Sequence, residues 1–264
     1  MTILLYIAGM LALGLGVGMF SAALGLGGGL IMVPAFLTFV DGMDANTAKG
    51  TSLCIIFFVA LLNTWRLHRD DGHYPWGKAA WLAAGSLAGG FFGAWVTTLL
   101  PERAVLWVFM AFLGIVALRT FFIEPPAVSE GHDRRRILVS IAIGLFAGAF
   151  GGATGTGGGA LLIPLVLLAG IATNRRVAGL SNMVMVATSA AGTVAHLAAT
   201  PVFDRPWTIG AVYLPLVPLV FLGAQVASPW GKRVNEALTL HWRRTLMGAF
   251  LLVIALRILY RLLG

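Results

Sequence analysis

The sequence predicts an all-α integral membrane protein made of two inverted repeats. Each repeat has about five helical elements, giving eight to ten membrane helices, two of them short arms of glycine-broken hairpins. Three observations carry this prediction. Charge is scarce, a glycine–proline signature occurs twice, and Lys and Arg divide unevenly between the two sides that the topology defines.

Of the 264 residues, 59% are hydrophobic and 11% charged, and the mean hydropathy is +0.91. A soluble domain carries about 25% charged residues. So little charge cannot cover a water-facing surface, so the expected solvent is lipid. The net charge of +8 does not indicate nucleic-acid binding, because the 18 Lys and Arg sit in short loops between apolar runs. The ten Asp and Glu, among them Asp41, Asp44, Asp204 and Glu236, lie in or beside loops. Cation pumps and proton relays place acids in mid-membrane, so an anionic substrate is favoured. The single cysteine, Cys54, lies in an apolar run and reads as a small buried hydrophobe. No metal site, cofactor or catalytic residue is expected.

The first apolar runs cover 3–24, 28–40, 47–65, 76–100 and 104–123, and a second set covers 137–154, 158–170, 177–198, 207–230 and 245–262. The N-terminal run lacks the basic start of a secretory signal and reads as a retained first helix. A polar, proline-bearing stretch separates the sets. The expected organisation is therefore a first repeat over 1–123, a linker over 124–136 and a second repeat over 137–264.

The two sets look duplicated. Shifted by 130 residues, positions 14–37 lie over 144–167, and 11 of the 24 are identical. The match centres on Gly25, Gly27, Gly28, Gly29 and Pro34 over Gly155, Gly157, Gly158, Gly159 and Pro164. Chance similarity between apolar helices would yield Leu and Ala matches rather than a shared G-x-G-G-G-x-x-x-x-P. The stretch 3–40 is too long for one straight crossing of about 30 Å. If the chain turns back at the glycines in both halves, 13 of the 18 Lys and Arg fall on one side and 5 on the other. A single crossing divides them 10 to 8. The hairpin topology is favoured, with the rich side cytoplasmic. The halves then enter from opposite sides, and both termini face outward. A multi-pass protein of a bacterial inner membrane is expected.

Three adjacent glycines each disfavour helix by about 1 kcal/mol relative to alanine. Non-helical backbone survives in lipid only inside protein or beside a water-filled cavity. Each short arm beginning after its glycines would aim N–H groups without helical partners, and the positive end of its dipole, into the protein. That is an anion site made of backbone. Candidate substrate contacts are thus Gly25, Gly27, Gly28 and Gly29, and Gly155, Thr156, Gly157, Gly158 and Gly159. Gly14, Gly16, Gly18, Gly85, Gly89, Gly90 and Gly93 read instead as close helix packing.

The helix after each arm carries a polar face. In the second half it holds Asn182, Ser189, Thr193 and His196; in the first, Ser52 and Asn63. Ser52 and Asn63 align with Asn182 and Thr193 under the shift. Intramembrane polar groups face the bundle interior or a water path, although interhelical hydrogen bonding explains some of them equally well. His196 lies within an apolar run, where it reads either as a proton-coupling group or as a neutral, hydrogen-bonded histidine near the helix end.

These paired glycine–proline motifs, each followed by Thr-Ser or Ser-Asn on the next helix, resemble the TauE/SafE sulfite exporter family across both halves. The resemblance implies export of a small sulfur-containing anion such as sulfite, sulfoacetate or another organosulfonate. It maps onto Gly25–Gly29, Pro34, Thr51 and Ser52, and onto Gly155–Gly159, Pro164, Ser181 and Asn182; the second half departs from symmetry with Asn182 in place of serine. The expected partners are a small anion and the lipid bilayer, with homo-oligomerisation left open. An anion channel, a carrier of another organic anion and a non-transporting subunit are the rivals. A membrane enzyme is disfavoured, because no carboxylate accompanies His196 on its helix.

Overall fold

The computed structural model describes residues 3–25, 27–71, 76–99, 134–173 and 176–263, with scattered helical positions between 107 and 122. Most of the expected linker, including 124–133, lies outside the described residues, as do His73, Arg103 and Arg175. The elements are α1 (Ile3–Leu24), α2 (Gly29–Phe39), α3 (Ala45–Asp71), α4 (Trp76–Leu99), α5 (Arg134–Thr154), α6 (Gly159–Leu168), α7 (Val177–Leu197), β1 (Thr208–Ile209), β2 (Val212–Tyr213), α8 (Leu216–Ala237) and α9 (Leu240–Leu263). Among the described residues, five helices are long and apolar enough to cross a membrane. They are α1, α3, α4, α5 and α7. The fold is all-α, as the composition predicts.

Both long glycine-terminated helices end the same way. α1 stops at Leu24 and Gly25 takes φ +70°; α5 stops at Thr154 and Gly155 takes φ +75°. A left-handed residue after a helix is the usual place for glycine. α2 and α6 restart four residues later and last 11 and 10 residues. Each contains its proline, Pro34 or Pro164. About 10–11 residues at 1.5 Å rise reach only about half of a hydrocarbon core.

Glycines decide how the long helices pair. Along α4, Gly85, Gly89 and Gly93 approach the carbonyls of Ile141, Leu145 and Ala149 on α5. Along α1, Gly14 and Gly18 approach Val220 and Ala224 on α8. Contacts advance in the same direction on both partners, so each pair is parallel. The expectation for Gly16 is overturned: an added Cβ there meets nothing within 4 Å, because residue 16 faces away from α8. The centre is the pair α3 and α7, where Gly50 meets His196 and Leu53 meets Gly192. That order makes the two helices antiparallel.

The run expected over 207–230 divides. Its first part forms a two-residue-per-strand hairpin, with Thr208 opposite Tyr213 and Ile209 opposite Val212, before α8 begins. Pro201, Pro206 and Gly210 are turn signals that an apolar-run reading passes over. The hairpin is bound to α7 and α3: Ala211 N–H donates to the His196 carbonyl at 2.8 Å, and Tyr213 N–H to Thr51 Oγ1 at 2.9 Å.

Candidate substrate site

The two glycine loops meet inside the bundle. A Cβ at Gly27 would lie 2.5 Å from the Thr156 carbonyl oxygen, and one at Gly159 2.6 Å from that of Gly25. Gly29 likewise abuts the Gly155 carbonyl. No side chain fits at this junction, which gives the glycines a packing role besides their conformational one. Gly157 and Gly158 also need positive φ, at +76° and +82°, whereas Gly28 is right-handed at −75°.

Each loop is held by a serine of the other half. Ser52 Oγ on α3 donates to the Gly155 carbonyl at 2.8 Å, and Ser181 Oγ on α7 donates to that of Gly25 at 2.7 Å. Both serines are completely buried. Where water is excluded, an unmade bond to a carbonyl is costly, so these crossed bonds tie the halves together.

The short arms start at this junction. Ile31 and Met32 N–H donate to the Gly28 carbonyl, and Leu161 and Leu162 N–H to that of Gly158. Among the described residues, the N–H groups of Gly29, Gly159 and Ala160 meet no acceptor. These donors belong to two helix starts that abut one another. Beside Gly28 lies an apolar recess walled by Val17, Met32, Ile56 and Met185, too narrow for a water molecule. The loops are closed on each other in this arrangement.

The polar stripes do not form one cluster. Thr51 accepts from Tyr213. Asn63 Oδ1 accepts from Ser228 on α8 at 2.9 Å. Ser189 donates to the Met185 carbonyl of its own helix. Asn182 Nδ2 donates to the Ala178 carbonyl at 2.9 Å, while its Oδ1 has no partner. Thr156 shares a hydrogen bond with Thr154. Asn63 lies about 16 Å along α3 from Ser52, and Thr193 as far along α7 from Asn182, at 1.5 Å per residue. Because α3 and α7 are antiparallel, the stripes run from the central loops toward opposite ends of the bundle. Thr193 Oγ1 and both ring nitrogens of His196 lack partners. The His196 ring is 1% exposed, near the end of α7, and its nitrogens find no partner among the protein groups.

Two cations that sequence reading treated as orientation signals hold the far ends of the arms. Arg205 donates to the Asp41 carbonyl at 3.0 Å, just beyond α2, and Lys78 Nζ to the Ile171 carbonyl at 3.0 Å, just beyond α6. Asp41 and Ile171 are separated by the same 130 residues as the glycine motifs. Only the repeat spacing could have pointed to them. Among the described residues no cluster of His, Cys, Asp and Glu could hold a metal.

Interrupted helices that meet at the centre of a helical membrane protein are a feature found among membrane transporters. The chain matches the sulfite exporter TauE/SafE family over residues 10–258 and belongs to that family, a family of membrane transporters. It is similar to a probable membrane transporter protein of Methanocaldococcus jannaschii, with 26% identity covering 91% of this chain and 90% of the relative. It is also similar to the probable membrane transporter protein YunE of Bacillus subtilis (strain 168), at 24% identity over 95% and 96% of the two chains. A probable membrane transporter protein of Haemophilus influenzae is 25% identical over 93% of each. No solved structure matches.

Proposed function

We propose that this protein is a secondary transporter that exports a small sulfur-containing anion, such as sulfite or an organosulfonate, by alternating access. The observation that carries this reading is the meeting of two helix starts at which the N–H groups of Gly29, Gly159 and Ala160 meet no acceptor among the described residues. A small oxyanion supplies several acceptors at once, and its negative charge is favoured at the positive ends of both helix dipoles. The family match supports sulfite and related anions as the substrate class.

The packing supports two inverted repeats. Corresponding helices α3 and α7 run antiparallel, the first helix of each half pairs with the fourth of the other, and the crossed serine and cation bonds occur once per half. In this reading the closed loops are an occluded state. They part when one half rocks against the other, opening the site toward one mouth at a time. Arg205 and Lys78 then belong to opposite mouths. In this reading the Lys- and Arg-rich side is cytoplasmic, the membrane is the inner one and both termini lie outside.

Counterflow in proteoliposomes tests the mechanism. Vesicles loaded with unlabelled sulfite should transiently accumulate labelled sulfite above equilibrium. Flux without overshoot or saturation would identify an anion channel instead.

A further inference from the structure

We propose that His196, with Thr193 and Lys49, forms a second subsite for the anion, at the end of the bundle covered by the β-hairpin. The inference rests on the transporter reading but concerns residues outside the glycine junction. His196 is 1% exposed, and neither ring nitrogen finds a hydrogen-bond partner in the protein. A polar group so deeply buried is normally satisfied. A neutral imidazole carries one N–H donor and one acceptor nitrogen, and both are left over here.

Lys49 and Asp44 both act on the ring through space, and the Asp44 carboxylate is already engaged by the Asn46 and Thr47 N–H groups and the Thr47 hydroxyl. Thr193, one turn earlier on α7, has a buried hydroxyl that is also unpartnered. Across the α3–α7 contact, a Cβ added to Gly50 would lie 2.8 Å from His196 Cβ and 3.0 Å from Cγ. The preceding residue, Lys49, joins this place to the central site: a Cβ at Gly155 would lie 2.8 Å from Lys49 Cα. One half-buried lysine therefore stands between the second glycine loop and the histidine. Under the 130-residue shift its counterpart is Gly179, which has no charge. The arrangement is thus one-sided. An anion leaving the second loop toward the hairpin passes a cation, then two unsatisfied donors. The hairpin closes over the main chain here, since Ala211 N–H caps the His196 carbonyl and Gly210 is seated against the carbonyls of His196 and Leu197.

Calorimetric titration of the purified full chain with sodium sulfite tests the subsite without requiring transport. His196→Ala should weaken sulfite binding about tenfold, the loss of one hydrogen bond to a charged guest. His196→Gln, which keeps an amide donor, should recover most of it, and Lys49→Gln should weaken binding and flatten its dependence on ionic strength. Thermal unfolding without ligand identifies a variant that has merely lost its fold, and His196→Gln then stands in for the alanine variant. Equal sulfite affinity in wild type, His196→Ala and His196→Gln would overturn the subsite and assign the imidazole to bound water, leaving the glycine-loop reading intact. If the wild type binds no sulfite while counterflow shows another anion moving, titration with that anion decides the subsite by the same comparison. If it neither binds nor moves any small anion, both readings fall.

Discussion

Gly16 and Gly18 are two residues apart on α1 and look equivalent in the sequence. Gly18 lies against Ala224, where an added Cβ collides with its backbone; Gly16 faces open space. Alanine at residue 16 should therefore gain helix propensity, up to about 1 kcal/mol. Alanine at residue 18 must push α1 off α8, an overpacking cost of about 1–3 kcal/mol. Thermal unfolding of the two purified variants checks the pair: Gly18→Ala should melt lower than wild type, and Gly16→Ala no lower. Equal midpoints would show that the α1–α8 seam is not set by glycine. The same distinction governs the hydroxyls. Ser189 spends its hydroxyl on its own helix, while Ser52 and Ser181 spend theirs on the opposite half, and no local pattern separates these roles.

At the scale of elements, the short arms inherit their shape from the loops before them. The two hairpins share a motif but not a backbone, since Gly158 is left-handed and Gly28 is not. A Cβ at Gly158 is strained by its φ of +82° and also meets the Ala147 carbonyl, whereas one at Gly28 meets the Val17 side chain. Left-handed backbone costs a non-glycine residue about 1–2 kcal/mol, so Gly158→Ala should destabilise more than Gly28→Ala. Both should weaken sulfite binding if the arm starts hold the anion. Unfolding midpoints and titration of the two variants separate strain from lost recognition. The arms also differ in their surroundings. α6 is enclosed along most of its length, while Leu37 and Phe39 of α2 are exposed. The second arm is thus the more fully enclosed by protein.

For the whole molecule, the inverted reading makes a parity claim. In that reading each half comprises a hairpin and three crossings, so both termini would lie on the side poor in Lys and Arg. Reporter fusions that are active only outside the cytoplasm should be active at both ends and inactive after Arg69. Termini on opposite sides would remove the inverted repeat and, with it, the mechanism of rocking halves. The crossed bonds give that mechanism a physical form. Ser52 to Gly155, Ser181 to Gly25, Arg205 to Asp41 and Lys78 to Ile171 all link one half to the other. Relative motion must exchange some of these bonds for contacts with the anion or with water.

Much of this was legible in the residues. Lipid as solvent followed from the scarcity of charge, and the breaks at 25–29 and 155–159 followed from glycine's poor helix propensity. These are local properties, because bilayer thickness and backbone preference act on each segment separately. The antiparallel α3–α7 pair, the hairpin over His196 and the loop that each serine holds became visible only in three dimensions. Ser52 and Gly155 are 103 positions apart, and Ser181 and Gly25 are 156 apart. No helical period reaches so far. The packing of two complementary surfaces chooses such partners, because in a bilayer a backbone carbonyl left without a hydrogen bond is costly.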